Sequence, residues 1–154
     1  MIIRKGNIAD VPSLLSLIKE LAIYEKAPLE VTVTLEQLIE DGFGTNKIFD
    51  FFVAELNSQI VGIALYYTKY STWKGRCIFL EDIIVSEVHR GKGIGKLLFD
   101  EVAKIAKEQK VERLEWQVLE WNTPAIEFYK KYNANLDPEW INGKLVYAQL
   151  QENF

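Results

Sequence analysis

The chain has 154 residues, 49% of them apolar and 26% charged, and a formal net charge of −4. One cysteine, Cys77, and one histidine, His89, exclude an intramolecular disulfide, a cysteine-clustered zinc site and nearly every histidine-based site, so no metal is expected. The length allows a full core without covalent staples. The acidic balance argues against nucleic acid as the main ligand and is compatible with a cationic one.

Arg4, Lys5 and Asp10 interrupt the N-terminus where a signal peptide needs an apolar core. No apolar run reaches the roughly 18 residues of a membrane span. A cytoplasmic protein without a membrane partner is expected.

Ile2 to Lys5 reads as a first strand. Asp10 precedes Val11, Leu14, Leu15, Ile18, Leu21 and Ala22, which is helical spacing behind an N-cap, with Pro12 tolerated in the first turn. Thr34-Leu35-Glu36-Gln37 fits a capping box, and its short helix should stop near Gly42 and Gly44. Phe51 to Leu56 and Gln59 to Tyr70 form a hairpin around Asn57-Ser58. Gly75 to Val85 is a further strand. Gly91 to Gly95 is a glycine loop that opens a helix carrying Ile94, Leu97, Leu98, Val102, Ile105 and Ala106 on one face. Leu114, Trp116 and Val118 alternate as in a strand. Thr123-Pro124 starts a last helix through Tyr132, and Leu145 to Leu150 reads as a terminal strand. Such an order predicts a mixed sheet flanked by helices.

Arg90-Gly91-Lys92-Gly93-Ile94-Gly95 is the most informative segment. Between a strand and a helix, glycines let backbone N–H groups approach an anion, and the helix N-terminus adds a favourable partial charge. A diphosphate is the natural guest. The Walker pattern and the dinucleotide G-x-G-x-x-G both fail at Lys96. R-x-x-G-x-G remains, read as Arg90, Gly93 and Gly95. The competing reading is a bare turn with extra glycines, although each costs about 1 kcal/mol inside a helix and a turn needs only one or two.

In that setting R-x-x-G-x-G resembles the coenzyme-A pyrophosphate loop of the GNAT superfamily of N-acetyltransferases. Three more blocks sharpen the likeness: Ile18 to Glu25, Tyr70 to Ile83, and Glu120 to Lys130. Together they resemble the diamine (spermidine/spermine) acetyltransferases, and most of all the thialysine N-ε-acetyltransferases. The resemblance implies one acetyltransferase domain over residues 1–154, of the α+β class. Its central mixed sheet would have about six to seven strands flanked by about four helices. It also implies acetyl-CoA as co-substrate, a small-molecule amine as acceptor, and a homodimer, for which Trp140, Tyr147 and Phe154 suit an interface.

The same resemblance implies roles residue by residue. Main-chain groups of Ile83, Ile84 and Val85 would pair with the pantetheine arm. Arg90, Gly91, Lys92, Gly93, Ile94, Gly95 and Lys96 would hold the pyrophosphate. Asn122, Thr123, Pro124 and Ala125 would contact coenzyme A further along. Tyr129 would be the general acid and Glu81 the proton acceptor, through water. Tyr24, Glu25, Trp73 and Asp82 would shape the amine pocket with Glu115, Trp116 and Gln117.

The residues carry the chemistry that acetyl transfer needs. An alkyl amine with a pKa near 10.4 arrives protonated and cannot attack. A carboxylate or water must take a proton, backbone N–H groups must polarise the thioester, and an acid must protonate the departing thiolate. Partial burial of Glu81 and Asp82 at the end of an apolar run would raise a carboxylate toward a base's range. The phenol of Tyr129 can donate. Each also has a structural reading: a strand end in water for the carboxylates, core packing for Tyr129 and Trp116. Cys77, mid-strand with no basic partner, reads as core rather than as an acyl carrier. His89 reads as exposed. The polyamine enzymes of the family carry an acid where this chain has Ser71, which favours a shorter, lysine-like acceptor, and Lys74 could pair with its carboxylate. Acetylation of a protein amine and a non-catalytic acyl-CoA-binding module are the alternatives.

Overall fold

Hydrophobic alternation builds one sheet, and a computed structural model describes it over residues 1–153. Five strands lie side by side in chain order: β1 (Ile2–Lys5), β2 (Asp50–Leu56), β3 (Gln59–Ser71), β4 (Gly75–Val85) and β5 (Leu114–Trp116). All neighbours are antiparallel except β4 and β5, which are parallel. Asn57 and Ser58 turn β2 into β3 with φ of 49° and 62°, the paired positive values of a hairpin whose twist matches its strands.

Helices α1 (Val11–Tyr24) and α2 (Leu35–Phe43) cover one face of the sheet. Val11, Leu14, Leu17 and Leu38 meet Phe51, Val53, Ile63, Leu65 and Ile84 there in one buried cluster. Helix α3 (Ile94–Glu108) lies against the opposite face, where the ring of Phe99 meets Trp116 edge-on at 5.4 Å. Cys77 is fully buried in β4, as the sequence suggests. The Thr34–Gln37 capping box forms in both directions, at 3.1 and 2.8 Å.

The chain divides into two compact units, the first Met1–Gln117 and the second from Val118 onward. The second holds α4 (Thr123–Lys130) and α5 (Tyr147–Asn153). Three expectations are corrected. Among the described residues the sheet has five strands rather than about six to seven, and there are five α-helices where about four were expected. The terminal strand at Leu145 to Leu150 is instead largely α5. A lone strand leaves its backbone groups unpaired, whereas a helix satisfies them internally. Gln149 assists by accepting the Val146 N–H at 2.9 Å, as the third helical residue of a capping box does. Finally, β5 ends at Trp116 rather than running toward Leu119. Phe154, expected at an interface, lies outside the described residues.

Asp10 also differs from its expected role. It sits at the helix start, but its side chain makes no cap bond to α1. It takes two bonds from the Arg4 guanidinium, at 2.7 and 2.9 Å, and one from the Asn7 N–H at 2.8 Å. The Arg4 bonds, joined by that N–H, hold the Asp10 carboxyl below its ordinary 3.8 although burial opposes them. Its contribution to stability is therefore complete above that value and is lost as pH falls through the lowered pKa. Asp10→Ala should cost about 2–3 kcal/mol at pH 7 by urea denaturation, because it removes two charged hydrogen bonds from Arg4 and one from the Asn7 N–H, although Arg4 keeps its pair with Glu55. The difference from the parent should shrink as pH falls below 3.8 and through the lowered pKa.

Candidate active site

The local irregularity of β4 shapes its chemistry. Strands β3 and β4 pair regularly from Ser71↔Gly75 to Tyr66↔Leu80, but the next pair is Leu65↔Asp82. Glu81 is thus the extra residue of a β-bulge. Neighbours on a regular strand point to opposite faces. Here Asp82 stands opposite Leu65, a member of the α1/α2-side cluster, and Glu81 takes a 2.9 Å bond from Tyr67, which packs on that same cluster. Two consecutive carboxylates share one face.

Glu25, immediately after α1, joins them electrostatically. Burial, then the charges of Glu81 and Glu25, push the Asp82 carboxyl up to about 6. Burial also raises Glu25. Three carboxylates held this way favour a cation among them.

The bulge coincides with a parting of strands. Pairing of β4 with β5 runs only from Ile78↔Leu114 to Leu80↔Trp116 and stops one residue before Glu81. Among the described residues, Glu81 to Val85 have no strand partner on that edge. Backbone groups left this way can pair with an extended ligand.

The glycine loop follows β4 after a single turn of 3-10 helix at Glu87–His89. Gly91 and Gly93 have φ of 74° and 80°, a region that side chains rarely enter, and a Cβ on either would meet nothing within 4 Å. The loop is therefore open on the side a ligand would use, and Gly93 delivers the chain directly into α3. The residues present fit an anion at a helix N-terminus.

Arg90 is committed within the protein. Its Nε donates to the Val85 carbonyl at 2.9 Å, its guanidinium lies 4.8 Å from the Tyr24 ring centroid, and Glu20 is 3.7 Å away. Glu20 also accepts the Glu87 N–H at 2.8 Å. The end of α1 thereby fixes the start of the loop. Lys92 reaches the Val88 carbonyl, and Lys96 pairs with Asp100 on the exposed surface of α3. His89 is half-buried rather than exposed, with Nδ1 2.8 Å from the Ser86 hydroxyl.

The remaining expected residues have distinct settings. Glu115 is engaged by Arg113 at 3.0 Å and by Lys69 at 3.3 Å, an ion pair whose Glu115 oxygen lacks hydrogen-bond geometry. Trp116 packs on Phe99, and Gln117 is exposed at the end of the first unit. Trp73 is 77% exposed at the β3–β4 turn. The Ser71 hydroxyl accepts the Trp73 and Lys74 N–H groups there, both at 3.2 Å. In the second unit Asn122 caps α4 by accepting the Ala125 N–H at 3.3 Å, with Pro124 in the first turn. Tyr129 is buried, its ring edge-on to Phe128. Sequence reading missed the bulge and the partnership of Tyr67 with Glu81. Counting strand register outward from the Ser71–Gly75 turn is the signal that brings those two residues close.

A cleft of about 480 Å3 opens elsewhere on the first unit, lined by Arg4, Asp10, Ser13 and Glu55. Its arginine is already joined to both carboxylates. No helix of the described residues is long and apolar enough to cross a membrane, and no group of three metal-ligating side chains occurs among them.

The family model for the acetyltransferase (GNAT) family matches residues 14–134. A thialysine N-epsilon-acetyltransferase from Bos taurus is 41% identical over 142 residues, spanning 87% of this chain and 84% of that protein. The spermidine/spermine N(1)-acetyltransferase-like protein 1 of Homo sapiens is 34% identical over 139 residues, 86% of this chain but 20% of that one. The crystal structure of a predicted acetyltransferase with acetyl-CoA from Clostridium acetobutylicum shares the fold, with a TM-score of 0.73 at 23% identity over 93% of this chain and 95% of the other. The open β4 edge and the glycine loop thus sit in a chain that belongs to the GNAT acetyltransferase family. It is an N-acetyltransferase, and acetyl-CoA is the acyl donor of its class.

The state of Asp82 gives a direct check. Its pKa in the folded protein, about 6, exceeds the ordinary 3.8, so the folded chain holds the proton more tightly than the unfolded one. The group therefore lowers stability as pH rises from 3.8 to about 6. Asp82→Asn should be more stable than the parent at pH 7 and indistinguishable from it near pH 3.5. Urea denaturation at the two pH values reads the difference.

Proposed function

We propose that this N-acetyltransferase transfers acetyl to the primary amine of a small, lysine-like molecule such as thialysine, by direct attack while amine and acetyl-CoA are both bound. The observation that carries the reading is the bulge. It gathers Glu81 and Asp82 on the face that also feels Glu25, beside the unpaired edge of β4.

An ammonium is drawn to Glu25 and Asp82, with Tyr24 and Trp73 contributing aromatic walls and Glu115, Trp116 and Gln117 the β5 side. Glu81 takes the proton that makes the nitrogen nucleophilic, directly or through one water. Backbone groups of Ile83, Ile84 and Val85 hold the pantetheine arm and polarise the thioester carbonyl. Acetyl-CoA supplies the activated acetyl group. Gly91 to Lys96 hold its pyrophosphate by backbone N–H groups and lysine charge, and Arg90 braces the loop from behind. Asn122, Thr123, Pro124 and Ala125 contact the cofactor further along. Tyr129 gives the departing sulfur its proton.

Two features support a short acceptor over a polyamine. Ser71 stands where an acid would receive a second ammonium, and its hydroxyl is occupied with the turn. Glu115 is already neutralised by Arg113 and Lys69. The first relative is named for thialysine, which fits both. The same reading takes residues 1–154 as one functional domain in a cytoplasmic homodimer. Exposure of Trp140, Ile141 and Tyr147 supports a covered surface there.

The test is thiol release from acetyl-CoA over thialysine, lysine, ornithine, putrescine, spermidine, spermine and a lysine peptide. Thialysine should show the highest kcat/KM, and equal turnover of spermine would reject the preference. Tyr129→Phe should lower kcat about 100-fold and leave coenzyme A affinity unchanged. An unchanged kcat would remove Tyr129 from the chemistry.

A further inference from the structure

A proton acceptor at a bulge needs something to orient it, because the strand ladder does not. Glu81 has no register partner. Among the described residues its side chain takes one hydrogen bond, from the Tyr67 hydroxyl to Oε2 at 2.9 Å. Tyr67 is itself well fixed. It stands directly opposite Phe79 across the β3–β4 pair, their ring centroids are 5.4 Å apart, and its ring packs on the buried cluster beneath α1 and α2. Burial, the bond to Glu81, and the charges of Glu81 and Asp82 push its phenol up to about 12. It therefore remains a donor across the working pH range.

We propose that Tyr67 is a positioning residue for the acetyl transfer: its hydroxyl holds Oε2 of Glu81 and leaves Oε1 to take the proton from the ammonium. The proton passes to Oε1, directly or through one water, while the nitrogen keeps the electron pair that attacks the thioester. Tyr67 gives up no proton. This inference rests on the assignment of Glu81 as proton acceptor. A glutamate otherwise free to turn about three bonds would spend much of its time in the wrong rotamer, and the ordering is completed here when the chain folds. Small misplacements of a reacting group are costly in rate, so the effect belongs to kcat rather than to substrate affinity.

Tyr67→Phe keeps the ring against Phe79 and removes only the hydroxyl. It should lower kcat about tenfold, with KM for amine and for acetyl-CoA and the Tm close to those of the parent. Glu81→Gln should lower kcat strongly, and adding Tyr67→Phe to it should change kcat less than about twofold, because the two side chains act as a unit. An unchanged kcat in Tyr67→Phe, a change in KM alone, or the same fold loss in both backgrounds would overturn the positioning role. If Glu81→Gln keeps the parent kcat, the assignment of Glu81 fails and takes this role with it. If Glu81→Gln loses activity and Tyr67→Phe does not, the positioning role alone fails.

Discussion

A strand that alternates strictly cannot put neighbouring side chains on one face. The extra residue at Glu81 breaks that alternation once, and the candidate site of the first unit is arranged around the break. Before it, β4 is an interior strand with Ile78 and Leu80 buried between β3 and β5. After it, β4 keeps β3 but has lost β5. One bulge thus accompanies both features that the proposed reaction uses, a pair of carboxylates and an unpaired backbone edge. The energetic consequence is visible at Asp82, which is held where ionisation is resisted by burial and by Glu81 and Glu25. A bound ammonium relieves that repulsion, so the site is poised for a cation rather than for a neutral guest.

The glycine loop depends on β4 as well. Val85, the last residue of the strand, receives Arg90, and α1 holds the same arginine through Tyr24 and Glu20. The loop is anchored at its first residue and left open at its glycines. In the proposed reading that division of labour leaves a bound anion to backbone N–H groups and the α3 N-terminus, where geometry is fixed in advance and little side-chain entropy is lost on binding.

Local signals were legible in the sequence. Asn57-Ser58 announced its hairpin, Thr34 and Gln37 their capping box, and the apolar neighbours of Cys77 its burial. The R-x-x-G-x-G loop, with three accompanying blocks, was enough to indicate the family. What escaped depends on residues far apart in the chain. Phe79 to Ile83 reads as an ordinary strand, because a bulge is a property of the pairing and leaves no mark on one strand alone. Nothing in the strand around Tyr67 marks it as the partner of Glu81, which lies 14 residues further on. Arg90 looked free for phosphate, because Tyr24 and Glu20 lie in another element. Asp10 followed the helix-start rule until Arg4, on the first strand, outbid that role with two charged hydrogen bonds. At the C-terminus a short apolar run fitted strand and helix equally, and the Gln149 side chain, accepting the Val146 N–H, favours the helix.

The most direct measurement is amide hydrogen exchange along β4 with and without coenzyme A. Binding along the unpaired edge should slow exchange within Ile83 to Val85, together with Gly93 to Lys96 at the loop and helix start, and leave β1 and β2 unchanged. Tight binding that protects the loop but not Ile83 to Val85 would contradict the central claim that β4 presents the cofactor to the carboxylates.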